Sequence, residues 1–336
     1  MKNWKKAGLT ALAGSLVATS AFAGAVTVSG TAGLTYTGNT GAQDGATAQK
    51  GQDGSRWGLN KSLSFSGSGE MDNGWTVSIS QTLKDGSSTG LGMTLDMGEM
   101  GTLNYEADTG ARGIGKIDDM MPTANEEVWD GIDVDGAGTA GGVSGKVSGG
   151  GSGFHYAKSM DMFNIGFGYT PKGGATNANG GVGGAGATAS SVSGFLQIDP
   201  MDGLQLGIGI GTTGDSDGDD KSQTDDHQTM YATYVYGNAT FGIQMSEVER
   251  YGSSTSNDES MAWSILYAVN DDMSISYGSW ENDDDQTTVD EEITGWSASY
   301  TMGSMSFVAH RNKGSNIGNA SNQESEHTEV GVTFAF

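Results

Sequence analysis

The feature of this sequence that most limits its fold is an alternation of apolar and polar residues that recurs along the chain. In the stretch AVTVSGTAGLTY, one face of an extended strand would carry Val26, Val28, Ala32, Leu34 and Tyr36. Threonine and serine occupy the other face, and a period of two is that of a β-strand. The same pattern recurs in sixteen segments, the last of which ends at Phe336. The chain is therefore predicted to be all-β.

The connections between these segments alternate between short and long without a break. The short ones read MDNG, GEMG, SMDM, PMDG, GN, NDD and TMG. The long ones are rich in Gly, Asp, Ser, Thr and Asn, and the longest runs from about residue 108 to 153. Tight turns at one rim and long loops at the other, with an even number of strands, are typical of outer-membrane β-barrels.

A soluble β-sandwich is the alternative, because it also uses strands with a period of two. The polar face favours the barrel, since its Ser, Thr, Gly and Asn suit a water-filled lumen. Aromatic residues of the apolar face also gather near the strand ends, where they would form two interfacial girdles. By the short turns are Trp75, Phe163, Tyr236, Tyr267 and Tyr300; by the long loops are Tyr36, Trp57, Tyr169 and Trp280. We predict a transmembrane antiparallel up-and-down barrel.

The N-terminus has the features of an export signal. Three lysines precede an apolar run that closes on Ala21-Phe22-Ala23, so residues 1–23 are predicted to be a cleaved signal peptide and residues 24–336 the barrel. A membrane-spanning helix is the alternative, but the run is shorter than the ~20 residues that such a helix needs. The exported part holds 13 basic and 41 acidic residues, hence a formal charge of −28. Nucleic acid is therefore not an expected partner.

Three segments resemble the Gram-negative general porin family. They are SRWGLNKSLSFSGSGEMDNGW (55–75), MGEMGTLNYEAD (97–108) and TYVYGNATFGIQMSE (233–247). The resemblance implies a sixteen-stranded barrel in the outer membrane of a Gram-negative bacterium, assembled as a homotrimer, with the third loop folded into the lumen. It also implies that Phe336 faces lipid at the periplasmic rim and is the signal by which the outer-membrane assembly machinery recognises the last strand.

In that family the third loop narrows the pore, and here it is acidic. The carboxylates predicted to line the narrowing are Asp118, Asp119, Glu126, Glu127, Asp130, Asp133 and Asp135. Thr123 and Glu126 have the spacing of a capping box, so a short helix is expected to begin near Ala124. The alternative for this run of charges is a solvated surface loop.

The resemblance also implies basic residues on the wall opposite the loop. Arg56 and Lys84 have the parity of side chains that point inward, and complete the predicted constriction. His155 and His310 are weaker candidates for this wall. Other candidates are few, so the basic cluster is expected to be thin.

Other motifs do not indicate chemistry. GIGTTG (209–214) matches a nucleotide-binding pattern, but no helix follows it to receive a phosphate. Weak divalent-cation candidates are Asp215, Asp217, Asp219 and Asp226, which take calcium-loop positions in a segment that lacks the required glycine. None of the four histidines lies in a recognisable catalytic motif, so no enzymatic activity is expected.

The sequence thus predicts an outer-membrane channel that passes small hydrophilic solutes and prefers cations, without a cofactor and with no more than loosely bound Ca²⁺. The alternative function is that of a surface adhesin or structural protein, a barrel with a plugged lumen. Acidic side chains in a narrow path favour cations, which is why we expect that preference.

Overall fold

A computed structural model describes residues 26–41, 54–106, 111–132, 152–172, 190–214, 224–251, 257–285 and 287–336. Sixteen antiparallel strands form a closed barrel, in which each strand pairs with its neighbours in sequence and the first pairs with the last. The predicted fold class and strand number are therefore confirmed. The expected signal peptide lies outside the described residues. Among those residues, no helix is long and apolar enough to cross a membrane.

The strands are longer than their apolar segments alone indicate, because polar residues extend them toward the long loops. Their bounds are β1 Thr27–Gly41, β2 Gly54–Glu70, β3 Thr76–Lys84, β4 Ser87–Asp96, β5 Thr102–Glu106, β6 Gly153–Met160, β7 Phe163–Thr170, β8 Ser191–Met201, β9 Leu204–Gly214, β10 Thr224–Tyr236, β11 Ala239–Glu249, β12 Asp258–Ala268, β13 Met273–Asp284, β14 Glu291–Met302, β15 Met305–Ser315 and β16 Glu324–Ala335.

Apolar side chains of the strands face outward, the reverse of a soluble protein. In β12, for example, Trp263, Ile265 and Tyr267 are exposed on the outside, while Ser264 and Leu266 are buried on the inside. A barrel with an apolar exterior is suited to a lipid bilayer, where every backbone polar group is satisfied between strands. The buried core of the molecule lies within the barrel, where the inner faces of the strands meet the third loop.

The last residue closes the barrel. The backbone N–H of Gly30 donates to the Phe336 carbonyl oxygen at 2.8 Å, and the Phe336 N–H donates to the Gly30 carbonyl oxygen at 3.0 Å. The aromatic ring is 58% exposed and lies over Gly30, where a Cβ would come within 2.7 Å of it. The terminal aromatic therefore faces outward over the seam between β1 and β16. Its role as an assembly signal stays a prediction.

Two expectations about the strands are wrong. The connection between β3 and β4 is a two-residue turn, Asp85-Gly86, and not a long loop, so the alternation of short and long connections is broken there. Both residues have positive φ, as a tight Asp-Gly hairpin turn requires. Trp280 does not belong to the outer aromatic girdle. It is 1% exposed and points inward, because Ile275 and Tyr277 take the outward positions of β13.

Candidate functional site

The third loop, which connects β5 to β6, runs along the inside of the barrel. Near its start, the N–H of Gly113 donates to His155 Nδ1 of β6 at 3.1 Å. The N–H of Ile114 donates to the Ser193 hydroxyl of β8 at 3.2 Å. Burial of the loop backbone is possible because the polar inner faces of the strands supply the hydrogen-bond partners that water would otherwise provide.

Gln244 of β11 is the central anchor of the loop. Its Oε1 accepts from the N–H of Met120 at 2.9 Å. Its Nε2 lies 2.9 Å from the Ile117 carbonyl oxygen, 3.0 Å from that of Asp118 and 2.9 Å from the Thr229 hydroxyl. The side chain is fully buried. One amide therefore satisfies three backbone groups of the loop at the middle of its path.

Beyond Gln244 the loop continues past one strand after another. The Ser264 hydroxyl of β12 donates to the Pro122 carbonyl oxygen at 2.9 Å. Hydroxyls of β13 and β14 accept two further loop N–H groups: Ala124 donates to Ser276 at 3.0 Å and Asn125 to Ser297 at 3.1 Å. In β15, Asn312 Nδ2 donates to the Asp130 carbonyl oxygen at 2.8 Å. The strands β6 to β16 thus form a continuous support for the loop.

Apolar side chains fix the loop at two places. At its start, Ile114 and Ile117 pack against Tyr231 of β10. At the end of its described part, Trp129 packs against Trp280, with ring centroids 6.5 Å apart. The end cluster also holds Met121, Val128, Ala262, Ile132, Ile293 and Ile317. Burial of each large side chain contributes about 1.5–3 kcal/mol, so these contacts hold the loop firmly against one side of the barrel.

The expected helix near Ala124 is absent from the described residues, and that prediction is wrong. The Thr123 hydroxyl donates to the Asn125 carbonyl oxygen instead of accepting an N–H as a helix cap would. The loop N–H groups that a helix would use are bonded to the hydroxyls of Ser276 and Ser297. Tertiary hydrogen bonds to the wall therefore replace the local ones.

The opposite side of the barrel remains open. Inward side chains of β1 to β4 are half-buried or exposed, whereas those of β8 to β14 are mostly buried. Asn125 and Glu126 of the loop share one cavity with Thr31, Thr35 and Asn60 of β1 and β2. The described part of the chain therefore leaves a polar path between the loop and the wall of β1 to β4.

Arg56 and Lys84 lie on this open wall. Both side chains are exposed, and both occupy inward positions of their strands. Arg56 lies four residues before the inward-facing Asn60 of β2 and so points to the same side. Lys84 of β3 pairs with the inward-facing Ser62 of β2. The positive charge of Lys84 acts on Glu126, which places it within electrostatic reach of the loop. Whether the two residues control permeation stays a prediction.

The structure corrects the two weaker basic candidates and adds one that sequence reasoning missed. His155 and His310 are not on the wall opposite the loop. Both are buried beneath it and contact its backbone or side chains. Lys116, in the short 3-10 turn Gly113–Lys116, is exposed on the loop and acts electrostatically on Asp118. The sequence analysis considered only the carboxylates of this loop, and their spacing does not indicate the position of Lys116.

The loop carboxylates crowd together and hold protons more tightly than usual. Burial raises the pKa of Asp118 to about 6 and, together with the neighbouring carboxylates, that of Glu127 to about 8. Burial and nearby negative charges also raise the pKa of Glu126 to about 7, against the opposing effect of Lys84. Glu126 is open to lumen water, which screens part of this effect. Glu127 is therefore the group that we expect to stay protonated to the highest pH.

Several predicted site residues lie outside the described residues: Asp133, Asp135, Asp215, Asp217 and Asp219. Asp226, the remaining cation candidate, is exposed on the outer face of β10. A different group of metal-ligand side chains lies together inside the barrel. Ligand atoms of Asp130, His310 and His327 all lie within 4.8 Å of one another.

Comparison with known proteins identifies a matching family and several solved structures with a similar fold. A family model described as Gram-negative porin matches residues 8–289. No curated protein sequence matches the chain. Solved structures similar to it include a porin refined at 1.8 Å resolution, with 14% identity, a TM-score of 0.61, and coverage of 93% of this chain and 100% of that one. An anion-selective porin from Comamonas acidovorans has 13% identity and a TM-score of 0.59, with coverage of 93% and 99%. OmpT of Vibrio cholerae has 11% identity and a TM-score of 0.62, with coverage of 96% and 100%.

Proposed function

The chain belongs to the Gram-negative porins, and we propose that its channel is cation-selective and passes small hydrophilic solutes by diffusion. The family and the barrel support a location in the outer membrane and a channel function. The fold does not decide the sign of selectivity, because one of the similar structures is an anion-selective porin. The charges along the path decide it.

The observation that carries the proposal is the imbalance of charge across the open path. Against one exposed lysine, Lys116, the described part of the loop presents four carboxylates that are exposed or half-buried on the inside of the barrel: Asp118, Asp119, Glu126 and Glu127. The facing wall offers Arg56 and Lys84. Acidic side chains around a narrow path raise the local concentration of cations and lower the barrier to their passage.

A plugged barrel that serves as an adhesin is the alternative function. The described part of the third loop packs against β6 to β16 and leaves the inner faces of β1 to β4 open. This arrangement narrows the lumen from one side, as a channel constriction requires. It supports permeation over a purely structural role.

A homotrimer and recognition by the assembly machinery complete the proposal. The exposed outer face of the strands carries large apolar side chains that either lipid or a second subunit can cover. Chemical crosslinking in the outer membrane tests the trimer: a ladder that ends at three chains supports it, and a monomer alone contradicts it.

The experiment that tests cation selectivity is a reversal-potential measurement in a KCl gradient across a planar bilayer, in buffer with a chelator. At pH 9, where both glutamates are mostly ionised, we expect a cation-selective potential that falls in the double variant Glu126→Gln/Glu127→Gln. Glu99→Gln is the matched control, because Glu99 is an exposed carboxylate in the short turn between β4 and β5. An anion-selective wild type, or equal effects of the loop and control substitutions, would contradict the proposal.

A further inference from the structure

Two histidines and an aspartate meet against the wall near residue 132, where the described part of the third loop ends. His310 Nε2 of β15 lies 3.5 Å from Asp130 Oδ2 of the loop. The rings of His310 and His327 stack with centroids 5.1 Å apart and an angle of 26° between their planes. Both histidines are buried, at 1% and 5% exposure. The three side chains come from distant parts of the sequence and converge on one point.

Each of the two histidines has a ring nitrogen without a hydrogen-bond partner. The Nε2 atoms of His310 and His327 are both buried and unpaired, which is uncommon for polar groups in native proteins. The separation of 3.5 Å between His310 Nε2 and Asp130 Oδ2 is too long for a good hydrogen bond. It is close to the spacing of two ligands at about 2.0–2.1 Å from a tetrahedral metal ion.

A hydrogen bond on the far side of the His327 ring favours the tautomer that a metal ligand needs. His327 Nδ1 lies 2.6 Å from Asn39 Oδ1. An amide oxygen only accepts, so Nδ1 carries the proton and the Nε2 lone pair is free. His310 Nδ1 lies 3.3 Å from Asn125 Nδ2, and an amide nitrogen donates, so in this arrangement the proton of His310 is on Nε2. Metal binding through His310 Nε2 therefore requires the Asn125 amide to turn and present its oxygen to Nδ1. Such outer partners orient metal-ligating histidines.

Gly131 allows the loop to approach closely enough. Its φ is +72°, and a Cβ at this position would lie 2.3 Å from the His327 ring. Only glycine fits both the backbone conformation and the contact. The residue before it, Asp130, is thereby held beside the histidines.

We propose that Asp130, His310 and His327 bind one divalent transition-metal ion of the zinc class, with lumen water at the fourth position. Two imidazoles and one carboxylate select such ions over Ca²⁺ and Mg²⁺, which prefer oxygen ligands. The ion would join the loop at Asp130 to β15 and β16 and so fix this segment of the third loop. This inference does not depend on cation selectivity.

Zinc binding to the purified, untagged protein tests the proposal. We titrate ZnCl₂ into chelator-treated protein by calorimetry and expect one ion per chain. His310→Gln, His327→Gln and Asp130→Asn should each weaken the affinity by more than about tenfold. His227→Gln is the matched control, because His227 is also a buried histidine with both ring nitrogens unpaired but lies outside the cluster. Equal loss in the control, unchanged binding in the three variants, or displacement of zinc by equimolar Ca²⁺ would overturn the site.

A second measurement uses the wild-type protein alone, in case a substitution impairs folding. Zinc should slow amide hydrogen exchange in residues 127–132, because the ion ties this segment to the wall. Exchange in the short turn at residues 97–101 should not change. Zinc binding that leaves residues 127–132 unaffected would place the ion elsewhere. Failure of the zinc site would leave the reversal potential in chelator unchanged, so the two hypotheses can be separated.

Discussion

Replacement of Gln244 by leucine should release the middle of the third loop while leaving the barrel intact. The side chain is fully buried, and leucine is of comparable size but has no polar atoms. The substitution removes the partners of the Met120 N–H and of the Ile117 and Asp118 carbonyl oxygens. The barrel strands keep their own backbone hydrogen bonds, so the effect should be confined to the loop.

The expected cost follows from these three loop groups. The amide of Gln244 has two N–H bonds, so the contacts around Nε2 share two protons. A typical hydrogen bond contributes about 0.5–1.5 kcal/mol net, and an unsatisfied buried group costs about 1–3 kcal/mol. Three affected groups therefore cost about 3 kcal/mol if water reaches them and about 6 kcal/mol if it does not. Either value is large enough to populate an open loop.

Hydrogen exchange of the loop amides, measured together with single-channel conductance, reads this change directly. At about 3 kcal/mol, protection of residues 114–121 should fall by roughly a hundredfold, and conductance should become larger and noisier. Gln81→Leu is the control, because Gln81 of β3 bonds Ser88 across the β3–β4 hairpin, on the open side of the barrel. Wild-type protection in Gln244→Leu, or an equal change in the control, would refute the assignment of Gln244 as the central anchor.

Three further predictions concern the loop charge, the end cluster and the barrel seam. Cation selectivity should rise between pH 5 and 9, because the raised pKa values of Asp118 and Glu127, about 6 and about 8, keep these groups partly neutral at low pH; a reversal potential independent of pH would contradict this. Trp280→Ala should cost about 3–5 kcal/mol in the loop cluster and enlarge single-channel conductance, whereas unchanged conductance would show that the cluster does not fix the loop. Gly30→Val should displace the Phe336 ring and slow membrane insertion. Deletion of Phe336 should slow insertion more strongly. Normal outer-membrane levels of both variants would contradict a role of this β1–β16 seam in insertion.

Alternation and connection length were sufficient to predict the barrel, because a period of two directly reports which strand face is apolar. The prediction from strand-end aromatics is wrong for Trp280, because the alternation in β13 places this residue on the inner face. The predicted alternation of short and long connections is wrong at Asp85-Gly86, where polar residues continue the strands up to a tight turn.

The acidic loop was visible in the sequence, but its anchors were not. Gln244 bonds a residue 124 positions away, and single polar residues on inward strand faces look alike before the loop is placed. The contact of Asp130 with His310 and His327 also joins residues that are far apart in the sequence, so it could not be predicted either. It depends on which strands the loop passes at residues 130–131, which no local pattern specifies.

The central claim is that solutes pass between the acidic loop and the wall of β1 to β4, and accessibility of single cysteines tests it most directly. The natural sequence contains no cysteine, so each introduced thiol is the only one. Asn60 is exposed on the open wall, whereas Ser264 is buried under the loop. In an open channel, Asn60→Cys should react quickly with a cationic thiol reagent, more slowly with an anionic one, and lose current as it reacts. Ser264→Cys should react with neither. Rapid modification at Ser264→Cys with no reaction at Asn60→Cys would place the path on the other side of the loop and contradict the account.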